Sequence, residues 1–238
     1  MNTYFHAQLT KGTCLLSPEE GLHCARVHRT RIGTQIELID GRGHRAKAVL
    51  EDISKNNEVR VCIDEIVTET RTWAERSWLC IAPTKQIDRI EWFLEKAVEI
   101  GIGRISFFHS EYSERRTLRI DRLEKIALAA LKQCRGSWLP QLDDILPYAA
   151  LLSAPIPTPY TNAIAHFSPN RQIPLKDCSA QSEHPVRIFI GPEGGFSETE
   201  YTAALTKGYY SVSIGERRLR TETAALVATF TLAFSEKT

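Results

Sequence analysis

The chain has 238 residues, 42% of them hydrophobic and 25% charged, with 30 lysines and arginines against 29 acids and a formal net charge of +1. That length holds one large or two modest domains, and the balance is ordinary for a globular protein with a sizeable core. It excludes a uniformly basic, histone-like binder, although not RNA binding, because charge can be local.

The six cysteines (Cys14, Cys24, Cys62, Cys80, Cys134 and Cys178) are scattered, with no C-x-x-C pair. A zinc site has no ligand spacing to support it, so no metal is expected and free thiols in a reducing compartment are. Met1–Thr10 lacks the apolar core of a signal peptide, and no window approaches 18 apolar residues. A cytoplasmic protein with no membrane partner is therefore expected.

Taken in chain order, Ser17-Pro-Glu-Glu20 spells a capping box with proline at the first helical position, predicting a short helix to about Val27. Gln35–Asp40, the turn Asp40-Gly-Arg-Gly43, and His44–Ile53 read as strand, turn and strand. Val59–Val67 reads as another strand, so the first 70 residues form a small β-rich domain, and Thr68–Arg76 is a polar linker. Between Gly21 and Ala48, six basic residues (Arg26, Arg29, Arg31, Arg42, Arg45 and Lys47) face two acids, Glu37 and Asp40. Such a stretch either neutralises phosphates or forms a solvated surface.

The rhythm then changes. Ser77–Ala82 is a short apolar strand. Ile87, Ile90, Leu94, Ala97 and Val98 recur at helical spacing up to Gly101, and Arg104–Phe108 is a strand. Asp121–Cys134 is an amphipathic helix. Asn162–Phe167, Arg187–Ile190 and Ser211–Ile214 read as strands. Ser197-Glu-Thr-Glu200 caps a helix that stops at Gly208, and Glu222–Phe234 is the last helix. Strands alternating with helices imply an α/β fold with a largely parallel sheet. Ala154–Thr161 is a proline-rich loop, and Ser168–Pro185 reads as a flexible polar excursion.

Glu99-Ile-Gly101-Ile-Gly103 imitates a dinucleotide-binding fingerprint. That motif needs its glycines between a strand and a following helix; here they follow a helix and precede a strand. Gly101 is therefore read as a helix C-cap, which disfavours a nicotinamide oxidoreductase.

Two late segments carry more information. In Ile188-Phe-Ile190-Gly191-Pro192-Glu193-Gly194-Gly195-Phe196-Ser197 a strand runs into a glycine-rich loop and a capped helix. The glycines allow positive φ and close backbone approach, and the lack of G-K-[ST] disfavours a nucleotide phosphate. The loop is either a tight turn or a ligand cradle. In Ser213-Ile214-Gly215-Glu216-Arg217-Arg218-Leu219-Arg220-Thr221-Glu222-Thr223-Ala224 three arginines precede a helix that Thr221 is placed to cap. Cations at a helix N-terminus are unfavourable, so local stability does not explain Arg220, whereas an anionic partner would.

These two segments closely resemble the G-P-E-G-G-F-S and L-G-x-x-x-L-R-x-E-T-A motifs of the small-subunit ribosomal RNA uridine-N3 methyltransferases, the RsmE family of the SPOUT superfamily. Lys96-Ala-Val-Glu99-Ile-Gly101 is similar to the family's K-A-T-E-L-G, Lys132-Gln133-Cys134-Arg135 to its E-Q-S-x-R, and His23-Cys-Ala-Arg26-Val27 to its H-x-x-R-V-L-R. Arg218 departs from the pattern, standing where the family usually has an apolar residue, and Pro83–Arg89 is a loose version of P-K-x-D-R.

The resemblance implies a PUA-like β-barrel that binds RNA (residues 1–70) and a SPOUT α/β domain with a deep C-terminal trefoil knot (residues 75–238). It implies S-adenosyl-L-methionine as cofactor, held by Ile190, Gly191, Glu193, Gly194 and Gly195, by Ile214, Gly215 and Leu219, and by Thr221, Thr223 and Ala224, with a third wall near Ala165–Phe167. The reaction it implies is methylation of N3 of a uridine in 16S rRNA of the small ribosomal subunit, by a homodimer. Arg220 is the candidate for stabilising charge on the uracil and Glu193 for taking a proton or orienting the base. Arg26, Arg29, Arg31, Arg42, Arg45 and Lys47 are the candidate phosphate contacts, with Arg115, Arg116 and Arg119 extending that surface. The alternatives are a SPOUT enzyme with another RNA target or atom, and a non-catalytic RNA-binding assembly factor.

Overall fold

A computed structural model describes residues 1–156, 159–167 and 172–234. Parts of the proline-rich loop (157–158) and of the polar excursion (168–171) lie outside the described residues. The chain divides into two compact units, Met1–Arg71 with Leu128–Leu139, and Thr72–Ala127 with Pro140–Thr238.

The first unit is a five-stranded sheet in the order β1 (Thr3–Phe5), β3 (Gln35–Ile39), β4 (His44–Ile53), β5 (Val59–Thr68) and β2 (Gly12–Leu15). β1 runs parallel to β3, and the other neighbours are antiparallel. The buried face follows the two-residue period of a strand: Ala46, Ala48 and Leu50 on β4, and Val59, Val61 and Ile63 on β5. β1 and β2, three and four residues long, are too short to leave a readable period. At the β3–β4 turn, Asp40 Oδ1 accepts from the amides of Arg42 (2.7 Å) and His44 (3.0 Å). Gly43 has no room for a side chain, because a Cβ there would stand 2.2 Å from the Trp138 ring.

The capping box at Ser17 is half formed. Ser17 Oγ accepts from the Glu20 amide at 3.3 Å and starts α1 (Pro18–Leu22), which continues as one π-helical turn over His23–Val27. The Glu20 carboxylate turns instead to Lys132 Nζ at 2.5 Å, since a buried carboxylate gains more from an ammonium than from one amide. That contact, with Trp138 against Gly43 and Ser137 Oγ donating to Glu69 at 2.5 Å, draws Leu128–Leu139 into this unit.

The second unit holds a seven-stranded, all-parallel sheet. Its strands in chain order are β6 (Trp78–Ile81), β7 (Arg104–His109), β8 (Gln141–Pro147), β9 (Thr161–Ala165), β10 (Ile173–Pro174), β11 (Val186–Ile190) and β12 (Tyr210–Ser213). In space they run β10-β12-β9-β11-β6-β7-β8. Its helices are α2 (Ile87–Ile100), α4 (Tyr148–Ser153), α5 (Leu175–Gln181), α6 (Glu198–Thr206) and α7 (Thr221–Phe234), with the first half of α3 (Ile120–Cys134), whose remainder belongs to the first unit. Every residue of β6 and β11 is buried, as both-face coverage of a parallel sheet requires. Arg187 is buried with them; it donates to the Leu151 carbonyl at 2.6 Å and stacks on Trp78.

Gly101 ends α2 with φ of 99° and Gly103 lies against the Glu75 main chain, so both glycines of the imitation fingerprint serve the backbone. Two expectations need correction, and two elements went unread. The segment read as a linker contains the end of β5 and a short 3-10 turn at Ala74–Arg76, packed against Gly103. The segment read as a flexible excursion contains β10 and α5, whose Leu175, Cys178 and Ser179 are buried. β8 escaped the pattern because Gln141–Pro147 is an edge strand with no buried residue, and α4 because its six residues are too few to show a helical period. The cysteines are thiols, none of them joined in a disulfide.

Candidate functional site

A cavity of about 620 Å³ opens at the carboxyl ends of β9, β11 and β12, and the segments leaving those three strands wall it. This is where a parallel sheet offers a ligand crevice: loops from adjacent strand ends diverge and leave main-chain groups facing outward. The first wall is Ala165, His166 and Phe167, the second Ile190–Phe196, and the third Val212–Gly215 with Arg217–Thr221 and Ala224.

The glycines of these loops answer to different constraints. A Cβ on Gly191 would press on the Phe196 ring at 3.0 Å, and one on Gly194 would stand 2.7 Å from Tyr112 Cβ. Neither needs positive φ; they are glycine because neighbours occupy the space. Gly195 does need it, with φ of 77°. A Cβ on Gly195 or on Gly215 meets nothing within 4 Å, so at both positions the missing side chain leaves open space. Both glycines line the cavity.

The second loop is held at both ends. Ser197 caps α6 with a complete box: its Oγ accepts from the Glu200 amide and Glu200 Oε2 accepts from the Ser197 amide at 3.0 Å. Thr221 starts α7, and its hydroxyl donates to the Gly191 carbonyl at 3.0 Å. The expected helix cap at Thr221 is therefore replaced by a tie between two cavity walls.

Of the residues singled out from sequence, Ile190, Gly191, Glu193, Gly194, Gly195, Ile214, Gly215, Leu219, Arg220, Thr221 and Ala224 all line the cavity. Thr223 does not, because helical rotation carries it away from the face on which Thr221 and Ala224 stand. Glu222 also turns away; it is buried, with its carboxylate 3.9 Å from Arg89 of α2. Glu193 is exposed and its Oε1 accepts from the Lys85 amide at 3.1 Å. Arg217, Arg218 and Arg220 are exposed and carry no ion pair among the described residues. Three unpaired cations on one rim attract an anion.

Sequence reasoning placed a wall near Ala165–Phe167 without giving His166 a role, and did not single out Gln172. His166 stacks on Tyr201 with ring centres 4.4 Å apart, and Tyr201 Oη donates to Ser211 Oγ at 2.7 Å. Gln172 donates to the same oxygen at 3.0 Å and to the His166 carbonyl. Burial holds the His166 imidazole below its ordinary pKa, opposed by Glu198. Gln172 has no neighbour in sequence that marks it.

The basic stretch of the first unit separates into two classes. Arg45 is committed: it pairs with Glu37 (2.9 Å) and Glu69 (3.0 Å) and donates to the Arg135 carbonyl. Lys47 pairs with Glu65 at 2.7 Å, and Arg26 Nε donates to Asn57. Arg29, Arg31 and Arg42 are exposed and carry no ion pair among the described residues. Arg29 has a left-handed φ of 48° at the end of the π-helical turn.

The comparisons with known proteins agree with this architecture. Residues 72–233 match a family model described as RNA methyltransferase domain, and residues 16–61 one described as RNA methyltransferase PUA domain. The structure is similar to that of a probable rRNA-methyltransferase from Porphyromonas gingivalis, at 35% identity and a TM-score of 0.86 over 96% of this chain and 95% of that one. It is similar to a ribosomal RNA small subunit methyltransferase E from Neisseria gonorrhoeae solved bound to S-adenosyl methionine, at 29% identity and a TM-score of 0.83 over 96% and 95%. The ribosomal RNA small subunit methyltransferase E of Bacillus subtilis is 27% identical, over 98% of this chain and 96% of that protein. With the first of these models spanning well over half its length, this chain belongs to the RNA methyltransferase family.

Proposed function

We propose that this protein methylates N3 of a uridine in 16S rRNA of the small ribosomal subunit, with S-adenosyl-L-methionine as methyl donor. The observation that carries the reading is the pair of glycines, Gly195 and Gly215, that face open space across one cavity. A Cβ at either would extend into that space; Gly195 also answers to its left-handed φ, whereas Gly215 has no backbone or steric reason to be glycine. The names of the relatives supply the substrate class.

The residues present fit the donor. Ile190, Leu219 and Ala224 offer apolar surface, Gly191, Gly194, Gly195 and Gly215 offer close main-chain approach, and the unpaired arginines complement a carboxylate. The donor supplies an activated methyl group on a sulfonium. Uracil N3 is a poor nucleophile while it holds its proton, so the chain must favour the anion. Arg220, unpaired on the rim, stabilises charge developing on a uracil oxygen. Glu193, with one oxygen on the Lys85 amide, orients the base or takes the proton with its other oxygen. N3 lies on the Watson–Crick edge, so the target uridine is unpaired or flipped out.

In this reading residues 1–70 act as a PUA-like barrel that binds RNA, with Arg29, Arg31 and Arg42 as its phosphate contacts, and residues 75–238 form the knotted catalytic domain. The protein acts in the cytoplasm as a homodimer; Phe230 and Phe234 of α7, 53% and 72% exposed and stacked together, supply an apolar face for association.

The test is transfer from labelled S-adenosyl-L-methionine to small subunits lacking the modification, with naked 16S rRNA in parallel and mass spectrometry of the nucleosides. The expected product is 3-methyluridine. Another methylated nucleoside rejects the N3 assignment; no transfer and no donor binding favour a non-catalytic RNA-binding factor.

A further inference from the structure

Resting on the reading of the cavity as the methyl-donor site, we propose that Arg115 is a positioning residue for that site, acting from outside the cavity through one peptide group and Glu193.

The loop Gly191–Gly195 forms one wall of the cavity, yet within itself it makes a single main-chain hydrogen bond, Gly195 N–H to the Pro192 carbonyl at 2.9 Å. A short stretch with three glycines loses much backbone entropy on ordering, so its shape must be imposed by neighbours. Those neighbours are the segments that leave β6, which pairs with β11 in the sheet, and β7, which lies on the far side of β6. The Arg115 guanidinium donates from Nε to the Thr84 carbonyl at 3.1 Å and from Nη2 to the Lys85 carbonyl at 2.6 Å. The Lys85 amide donates to Glu193 Oε1 at 3.1 Å.

The Thr84 carbonyl and the Lys85 amide belong to the same peptide group. A cation therefore binds its oxygen end and an anion its nitrogen end, with the peptide dipole aligned between them. Each bond is charge-assisted and each polarises the other. The peptide is itself held, because Thr84 is fully buried and its hydroxyl donates to the Gln86 carbonyl at 2.7 Å. From the same segment as Arg115, Tyr112 packs against Gly194, and the Glu111 amide donates to Glu200 Oε1 at 2.9 Å, at the start of α6. The Arg115 fork is thus engaged with main chain rather than offered to RNA. Its neighbour Arg116 is exposed with no ion pair among the described residues, and serves as a control.

The experiment compares Arg115→Ala, Arg115→Lys, Glu193→Gln and Arg116→Ala in the full chain. Donor affinity is measured by calorimetry and hydrogen exchange is followed in the peptides covering 83–86 and 191–196. Arg115→Ala is expected to weaken donor binding about tenfold, the scale of one charge-assisted bond, to raise KM for the donor and lower kcat together as Glu193 loses its anchor while KM for RNA stays near the parent, and to speed exchange in both peptides. Arg115→Lys recovers part of the loss, and Arg116→Ala leaves donor affinity unchanged. Combining Arg115→Ala with Glu193→Gln adds little to the worse single change, because both break one chain of bonds.

Unchanged donor affinity and unchanged exchange overturn the proposal. So does a lower Tm with both of those intact, which marks a merely structural arginine, and so does a loss confined to RNA affinity. If Arg115→Ala does not fold, Arg115→Lys and Glu193→Gln are judged by the same criteria. A parent protein that neither binds the donor nor transfers methyl overturns the donor-site reading, while the exchange data still decide whether Arg115 holds the loop.

Discussion

The hydroxyl of Thr221 donates to the carbonyl of Gly191 at 3.0 Å, joining the first turn of α7 to the first residue after β11. Both residues line the cavity, and Thr221 is buried. Thr221→Val keeps the volume and removes the donor, leaving a carbonyl without its partner. The expected cost is about 1 kcal/mol, roughly fivefold in donor affinity. Calorimetry checks it, with Thr221→Ser expected to bind as the parent does.

Gly195 and Gly215 separate backbone strain from cavity filling. Gly215→Val meets no neighbour and no left-handed φ, so it should leave Tm near the parent value while blocking donor binding. Gly195→Val has the same open space but a φ of 77°, so it should lose binding and also about 1 kcal/mol or more of stability. Thermal unfolding alongside calorimetry distinguishes them.

Arg220→Ala should keep donor binding and lose turnover by about a hundredfold or more, the scale of a removed charge-stabilising group. Arg220→Lys should recover only part, since an ammonium does not reproduce the planar fork. Single-turnover rates on small subunits measure both, and near-normal turnover by the alanine variant rules out the role.

Charge reversals in the first unit should divide by partner. Arg29→Glu with Arg31→Glu should weaken RNA binding and flatten its salt dependence, with Tm unchanged, because neither carries an ion pair among the described residues. Arg45→Ala should instead cost about 2 kcal/mol of stability, since it leaves Glu37, whose side chain is 9% exposed, with the Thr3 hydroxyl but no cation among the described residues. Denaturant unfolding and filter binding at two salt concentrations report the two effects.

His166 gives a pH dependence of known sign. Burial holds its pKa below the ordinary 6.5, with Glu198 opposing, so the unfolded chain takes up the proton first as pH falls. The contribution of neutral His166 is present above 6.5 and is lost as pH drops toward the lower folded value. Tm should fall as the pH drops below 6.5, and fall less in His166→Gln. His28, shifted the same way by burial, contributes equally to both proteins.

Legibility in the sequence followed the range of the interactions. Ser197-Glu-Thr-Glu200 is read correctly because both halves of its box close within one helical turn. Ser17-Pro-Glu-Glu20 has the same letters and forms only half, because Lys132, far along the chain, takes the second carboxylate. The six basic residues of the first unit look alike in sequence, yet Arg45 and Lys47 are ion-paired while Arg29 and Arg31 are not. The difference lies in which acids β3 and β5 bring alongside.

By itself the sequence determined the strands and helices whose periods run long enough, the helix stop at Gly101, the alternation that makes the sheet parallel, and the two late motifs that mark the family. Only the tertiary structure decided that β9, β11 and β12 end side by side around one cavity, that Gly194 is glycine because of Tyr112 whereas Gly195 faces open space, and that Arg115 serves a peptide group. Local hydrogen bonding and hydrophobic period are written in neighbouring residues. Contacts between strand ends depend on a strand order that chain order does not follow, and leave no trace in the spacing of a single sequence.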